Sequence, residues 1–187
     1  MYENHQAAIA FNEEIPAYQI LALNDKEIIQ EEQGALDILT QHVRAFFEAE
    51  QVQVLQPRNP DSGALNILVA DPGENVDFRI LITCGISEKA MHIPAHSPTS
   101  AHAELITLLP KSWPLDKTSL QQPEYYWPIQ KMNQLARITQ ERNTWLGEGH
   151  TIAPETAPAS LGPGNDFSAI LLHASVHLPT SPFSQAT

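Results

Sequence analysis

One cysteine, Cys84, is all the thiol this chain has. That excludes an internal disulfide and any zinc site built on several cysteines, and it fits a reducing compartment. Basic residues are scarce as well: ten Lys and Arg stand against twenty-two Asp and Glu, a net charge of −12. A field of this sign repels nucleic acid and anionic membranes and favours basic partners. The imbalance is concentrated. Residues 1–77 carry fourteen acidic and three basic side chains, a net of −11, whereas residues 78–187 carry a net of −1. No run approaches the roughly 20 apolar residues that cross a bilayer. The opening Met1-Tyr2-Glu3-Asn4-His5 lacks the basic start of a signal peptide, so the expected compartment is the cytoplasm.

What is present suffices for one domain, expected over residues 1–187: hydrophobic residues make up 42% of the chain. Leu36, Leu39, Val43, Phe46 and Phe47 recur at helical intervals and predict a helix from near Ala35 to Glu50 after Gly34. Its polar face carries Asp37, Gln41, Arg44 and Glu48. Val52 to Gln56, Leu65 to Ala70 and Phe78 to Thr83 read as strands separated by Pro-, Gly- and Asn-rich turns, which predicts an antiparallel meander. Glu104 to Leu109 reads as a further strand closed by Pro110. Trp127-Pro128 predicts a helix entry, with Ile129, Met132, Leu135, Ala136 and Thr139 on its buried face. A late strand is expected from Phe167 to Ala174. The order implies an α+β fold, a mostly antiparallel mixed sheet with packed helices.

No complete catalytic motif accompanies these elements. His102-Ala103-Glu104 matches the first half of a zinc deaminase signature, but the cysteines of the second half are missing. Glu104 is therefore expected to make a structural hydrogen bond. Cys84 ends an apolar strand and reads as a buried small hydrophobe. His92, His96 and His102 fall across a proline-broken loop, which predicts solvated side chains rather than metal ligands. The aromatic and polar density from Tyr125 to Thr151 stands out. It makes Trp145, Glu148 and His150 the candidate binding residues, with neither catalytic residue, metal nor cofactor expected.

Five blocks then occur in one order: Ile82-Thr83-Cys84-Gly85-Ile86-Ser87; Ala103-Glu104-Leu105 with Leu109-Pro110 and Trp113; Tyr126-Trp127-Pro128-Ile129; Trp145-Leu146-Gly147-Glu148-Gly149-His150-Thr151-Ile152; and Phe167 to Leu172. Over Phe78 to Leu172 the chain resembles the suppressor of fused family, specifically its bacterial single-domain members. Cys84 and Ile86 depart from the family's T-S-G-M-S block. Family members usually continue into further strands beyond the last block, so the C-terminus is expected to be short or truncated relative to them. The resemblance implies binding rather than catalysis. The animal relative sequesters Gli-type transcription factors through a short peptide, and bacterial relatives look like immunity proteins. It also implies that Trp127 and Trp145 pack, that Gly147 and Gly149 set backbone geometry and that His150 braces the block by hydrogen bonding. The leading expectation is a non-enzymatic module that holds a basic protein partner, as an immunity protein holds a toxin. A peptide receptor that pairs a partner with a free sheet edge is the second. A hydrolytic enzyme using His150 with Glu104 or Glu148 is the third.

Overall fold

Strand β3, Asn66–Ala70, is buried at every residue, and β4, Phe78–Cys84, at its last five. Uninterrupted apolar runs of this kind arise when both faces of a sheet are covered. A computed structural model describes residues 15–22, 35–47, 51–71, 73, 77–97, 100–154 and 160–174, and places these strands at the middle of a five-stranded sheet. The order is β1 (Tyr18–Ala22), β2 (Val52–Pro57), β3, β4 and β5 (Ile106–Pro110), with every neighbouring pair antiparallel. The expected meander is therefore the observed one, with Tyr18–Ala22 added at one edge.

Side-chain alternation divides the core in two. Val52, Val54, Leu68, Ala70, Ile80 and Ile82 project to one face, against Leu36, Leu39 and Val43 of helix α1, Ala35–Arg44. Tyr18, Leu55, Ile67, Val69, Leu81 and Leu109 project to the other, against Tyr126, Ile129 and Met132 of helix α2, Pro123–Glu141. The product is a helix–sheet–helix sandwich, α+β in class. Asp37, Gln41 and Arg44 are exposed on α1 as expected; Glu48 to Glu50 lie outside the described residues. No helix among the described residues is long and apolar enough to cross a membrane.

Three expectations need correction. Helix α1 ends at Arg44 rather than near Glu50, and Phe46, expected on its apolar face, is 47% exposed. Helix α2 starts at Pro123, not at Trp127-Pro128. Pro123 occupies the first-turn position where a missing N–H costs nothing, and Pro128 sits buried within the helix. The late strand shrinks to β7, Ile170–Leu171, paired among the described residues with β6, Thr151–Ile152. Phe167 to Ala169 are exposed and outside any ladder among the described residues; the Phe167 carbonyl accepts instead from the Leu161 N–H at 2.6 Å. The predicted face of α2 is buried throughout, but so are Lys131, Gln134 and Ile138. A third cluster explains the wider stripe: Met91, Leu146 and Ile152 pack on Leu135 and Ile138, securing the β6–β7 hairpin to the far half of the helix.

Tyr18 ties the layers together. Its hydroxyl donates to the Leu65 carbonyl at 3.3 Å and accepts from Asn133 Nδ2 at 3.0 Å, while Asn133 Oδ1 accepts the Leu65 N–H at 2.8 Å. Burial pushes this phenol up from 10.0 to about 12. Above the unfolded value of about 10 the denatured chain releases a proton that the native state keeps. The stabilising contribution is thus full below pH 10 and is lost as pH rises toward 12. Urea unfolding should show a steep decline of up to about 2–3 kcal/mol across that window, at 1.36 kcal/mol per unit. Tyr18→Phe, weaker by about 1 kcal/mol at pH 8, should lack that extra decline; equal slopes would contradict it.

Candidate partner-binding groove

Glu104 stands just before β5 and turns its carboxylate back onto the turn that follows β4. Oε1 accepts from the Gly85 N–H at 3.0 Å, the Ser87 N–H at 3.0 Å and the Ser87 hydroxyl at 2.6 Å. Oε2 accepts from the Thr83 hydroxyl at 2.6 Å, and Thr83 Oγ1 in turn accepts the Leu105 N–H at 2.8 Å. His102 Nδ1 lies 2.7 Å from the Ser87 carbonyl, so that nitrogen carries the proton and donates. His102 and Glu104 therefore clamp opposite ends of one residue, Ser87. This is the structural hydrogen bonding expected of Glu104, and it joins two of the five sequence blocks.

The clamp fixes where β5 begins, and β5 is the last strand of the sheet among the described residues. Thr83 N–H bonds to the Leu105 carbonyl and Lys111 N–H to the Asp77 carbonyl, which sets the phase of the ladder. In an antiparallel pair alternate residues face the partner strand. Leu105, Thr107 and Leu109 thus direct their backbone toward β4, and Ile106 and Leu108 direct theirs outward. An edge of this kind offers unpaired donors and acceptors to another chain.

Beside that edge runs a groove of about 1450 Å³. Helix α2 contributes Trp127, Lys131 and Met132, β5 contributes Ile106 to Leu108, and the hairpin side contributes Trp145, Phe167 and Leu171. Six large hydrophobic side chains are notably exposed among the described residues, and three of them line this one groove: Leu108 at 40%, Phe167 at 61% and Leu171 at 66%. Apolar surface gathered in one concavity marks a binding site more strongly than the same residues scattered. Charge is sparse along it. Lys131 is buried with Nζ 3.0 Å from Gln134 Oε1, and Glu148 meets His173 Nε2 at 3.5 Å on the exposed rim.

Aromatic contacts brace the walls. Trp113 donates from Nε1 to the Tyr125 carbonyl at 3.0 Å and lies edge-on to Trp127, with centroids 6.3 Å apart. Trp127 in turn meets Phe167 at 6.1 Å. Gly162 approaches Trp127 so closely that a Cβ there would fall 2.4 Å from Trp127 Cγ, so only glycine fits.

The candidate residues from the sequence divide. Trp145 and Glu148 line the groove. His150 packs its ring against Trp145, centroids 4.2 Å apart, and its N–H closes a turn onto the Gly147 carbonyl at 3.2 Å. Gly149 takes φ +82°, the value that the third residue of a type II turn adopts and that favours glycine. The catalytic pairing of His150 with Glu104 or Glu148 is not assembled: Glu104 is spent on the Ser87 turn, and Glu148 faces His173. Among the described residues no three His, Cys, Asp or Glu are grouped to hold a metal, and His92, His96 and His102 are all exposed. Cys84 is buried at 6% exposure in the α1-side core. Leu108, Phe167 and Leu171 join the site without a signal in the sequence: each reads locally as a core position, and only the tertiary arrangement leaves it exposed.

No curated protein and no solved structure matches the chain. The model of the suppressor of fused protein family matches residues 61–186, which takes in all five sequence blocks, the Glu104 clamp and the groove. The chain belongs to the suppressor of fused family and is a protein-interaction module of that family.

Proposed function

We propose that the protein holds an extended segment of a partner polypeptide in the groove beside β5, without altering it covalently. The observation that carries this is the coincidence, among the described residues, of an open strand edge at Ile106 and Leu108 with three exposed apolar residues lining one concavity. An added strand takes affinity from main-chain hydrogen bonds and specificity from pockets for alternate side chains. The segment would carry apolar residues at every second position. The net charge of −12 favours basic residues on either side of them and faster capture at low salt. A basic toxin domain of this description would make the protein an immunity protein, and a transcription-factor peptide would make it a sequestering receptor.

Ten of the fourteen acidic side chains in residues 1–77 lie outside the described residues, so the charge speaks for the sign of the partner and not for the face it meets. A photo-cross-linking residue tests the face directly. Placed at Leu171 it should capture a polypeptide in the native cell; placed at Ile38, exposed on α1, it should not. Capture at Ile38 and not at Leu171 would overturn the groove.

A further inference from the structure

A second cavity, of about 420 Å³, shares no lining residue with the groove. It opens where β2 ends, β3 begins and β4 ends. On the α1 face the sheet there presents one cross-strand row, Gln56, Asn66 and Cys84: Asn66 pairs with Cys84, and the register of β2 with β3 sets Gln56 beside Asn66. The next two rows on the same face are aliphatic throughout, Val54–Leu68–Ile82 and Val52–Ala70–Ile80. Two amides replace aliphatic side chains in the outer row although Gln56 is only 9% and Asn66 only 8% exposed. Burying an amide costs free energy unless its donors and acceptors are met. Gln56 Oε1 accepts from Gln19 at 3.0 Å, but its amide nitrogen makes no hydrogen bond among the described residues, and Gln56 lines the cavity.

Cationic side chains reach the same space from two further elements. Lys89 comes from the turn after β4 and Arg137 from α2, with Glu88 the one carboxylate lining it among the described residues. Arg137 also contacts Glu141 at 3.2 Å, and both side chains are about half exposed, so that pair contributes little. A guanidinium, an ammonium and an amide donor that line one cavity at the end of the sheet make a donor-rich recess, and its volume falls in the range of small-molecule sites. The geometry points to a second binding site in this cavity, for a small oxygen-rich anion bearing a carboxylate or a phosphate ester. Lys89 and Arg137 neutralise its charge, and the Gln56 amide donates to one of its oxygens. The site stands independently of the groove.

Citrate and glycerol 3-phosphate serve as probes at constant ionic strength, with glycerol as the neutral control. In nitrogen–proton correlation spectra at least one anion should shift the Gln56 side-chain amide and the Gly85 backbone amide saturably. The same occupant should slow reaction of Cys84 with a small thiol reagent. Which anion saturates identifies the headgroup. Lys89→Ala and Arg137→Ala, both at exposed positions, should each weaken the saturating probe about tenfold, or 1.4 kcal/mol. Lys117→Ala, away from the cavity, should leave it unchanged. Shifts that rise without saturating for both anions, that glycerol reproduces, or that persist unchanged in both cavity variants would overturn the site.

Discussion

Glu104→Ala is expected to melt about 10 °C below the parent protein. The carboxylate accepts four hydrogen bonds, from two backbone amides and two hydroxyls, around a turn in which Ser87 is 4% exposed and Thr83 fully buried. Hydrogen bonds to a charged group contribute about 1.5–3 kcal/mol each, though they do not add when they share one acceptor. Alanine leaves the Ser87 N–H and hydroxyl without that acceptor, and a total loss of about 3–4 kcal/mol follows. At about 2–4 °C per kcal/mol for a domain of this size, the shift is near 10 °C. Glu104→Gln separates the charge from the geometry. It keeps one oxygen to accept from Gly85 and Ser87 and turns an amide toward Thr83, so it should cost about half as much. Trypsin adds a local readout, because cleavage after Lys89 should accelerate in Glu104→Ala before global unfolding. A melting point within a degree or two of the parent would show that the clamp does not hold the turn.

The reason Glu104 was legible in the sequence, and the groove was not, is one of range. His102-Ala103-Glu104 lacked the cysteines that metal chemistry requires, and a carboxylate without such partners has ordinary hydrogen bonding left to it. The central strands were equally plain, because Ile67 to Ala70 and Ile80 to Ile82 are buried on both faces and stay apolar without alternation. Pro128 is not the helix start because Pro123 already holds that place, and the four residues between them give no local sign of which one begins the helix. The late strand was overextended because Phe167 is as apolar as a core residue yet 61% exposed. Leu108 is the same case within β5, where Leu109 beside it is buried and Leu108 is not. No periodicity distinguishes them. The difference lies in which strand ends the sheet, and that is settled by pairings far apart in the chain, such as Leu81 with Thr107.

That same edge gives the sharpest test of the binding reading. Leu108→Pro should reduce affinity for the cross-linked partner segment about 100-fold while leaving the melting point within a few degrees. Proline removes a backbone donor, and at most positions in a sheet that breaks the ladder. At Leu108 the phase of the β4–β5 pairing turns the N–H outward, so the bonds to β4 through Leu105, Thr107 and Leu109 survive. An incoming strand would lose the hydrogen bond to that N–H and meet the proline ring in its path. One lost bond with its acceptor left buried costs about 1–3 kcal/mol, and the obstruction adds to it. Leu109→Pro is the matched control. Its N–H faces β4 and its side chain lies in the α2-side core, so stability should collapse along with binding. Raising salt should slow association of the parent protein with a basic segment and leave dissociation nearly constant, since long-range attraction acts on the encounter. If Leu108→Pro kept both its fold and its affinity, the partner would not be adding a strand at β5, and the apolar groove would have to hold it by side chains alone.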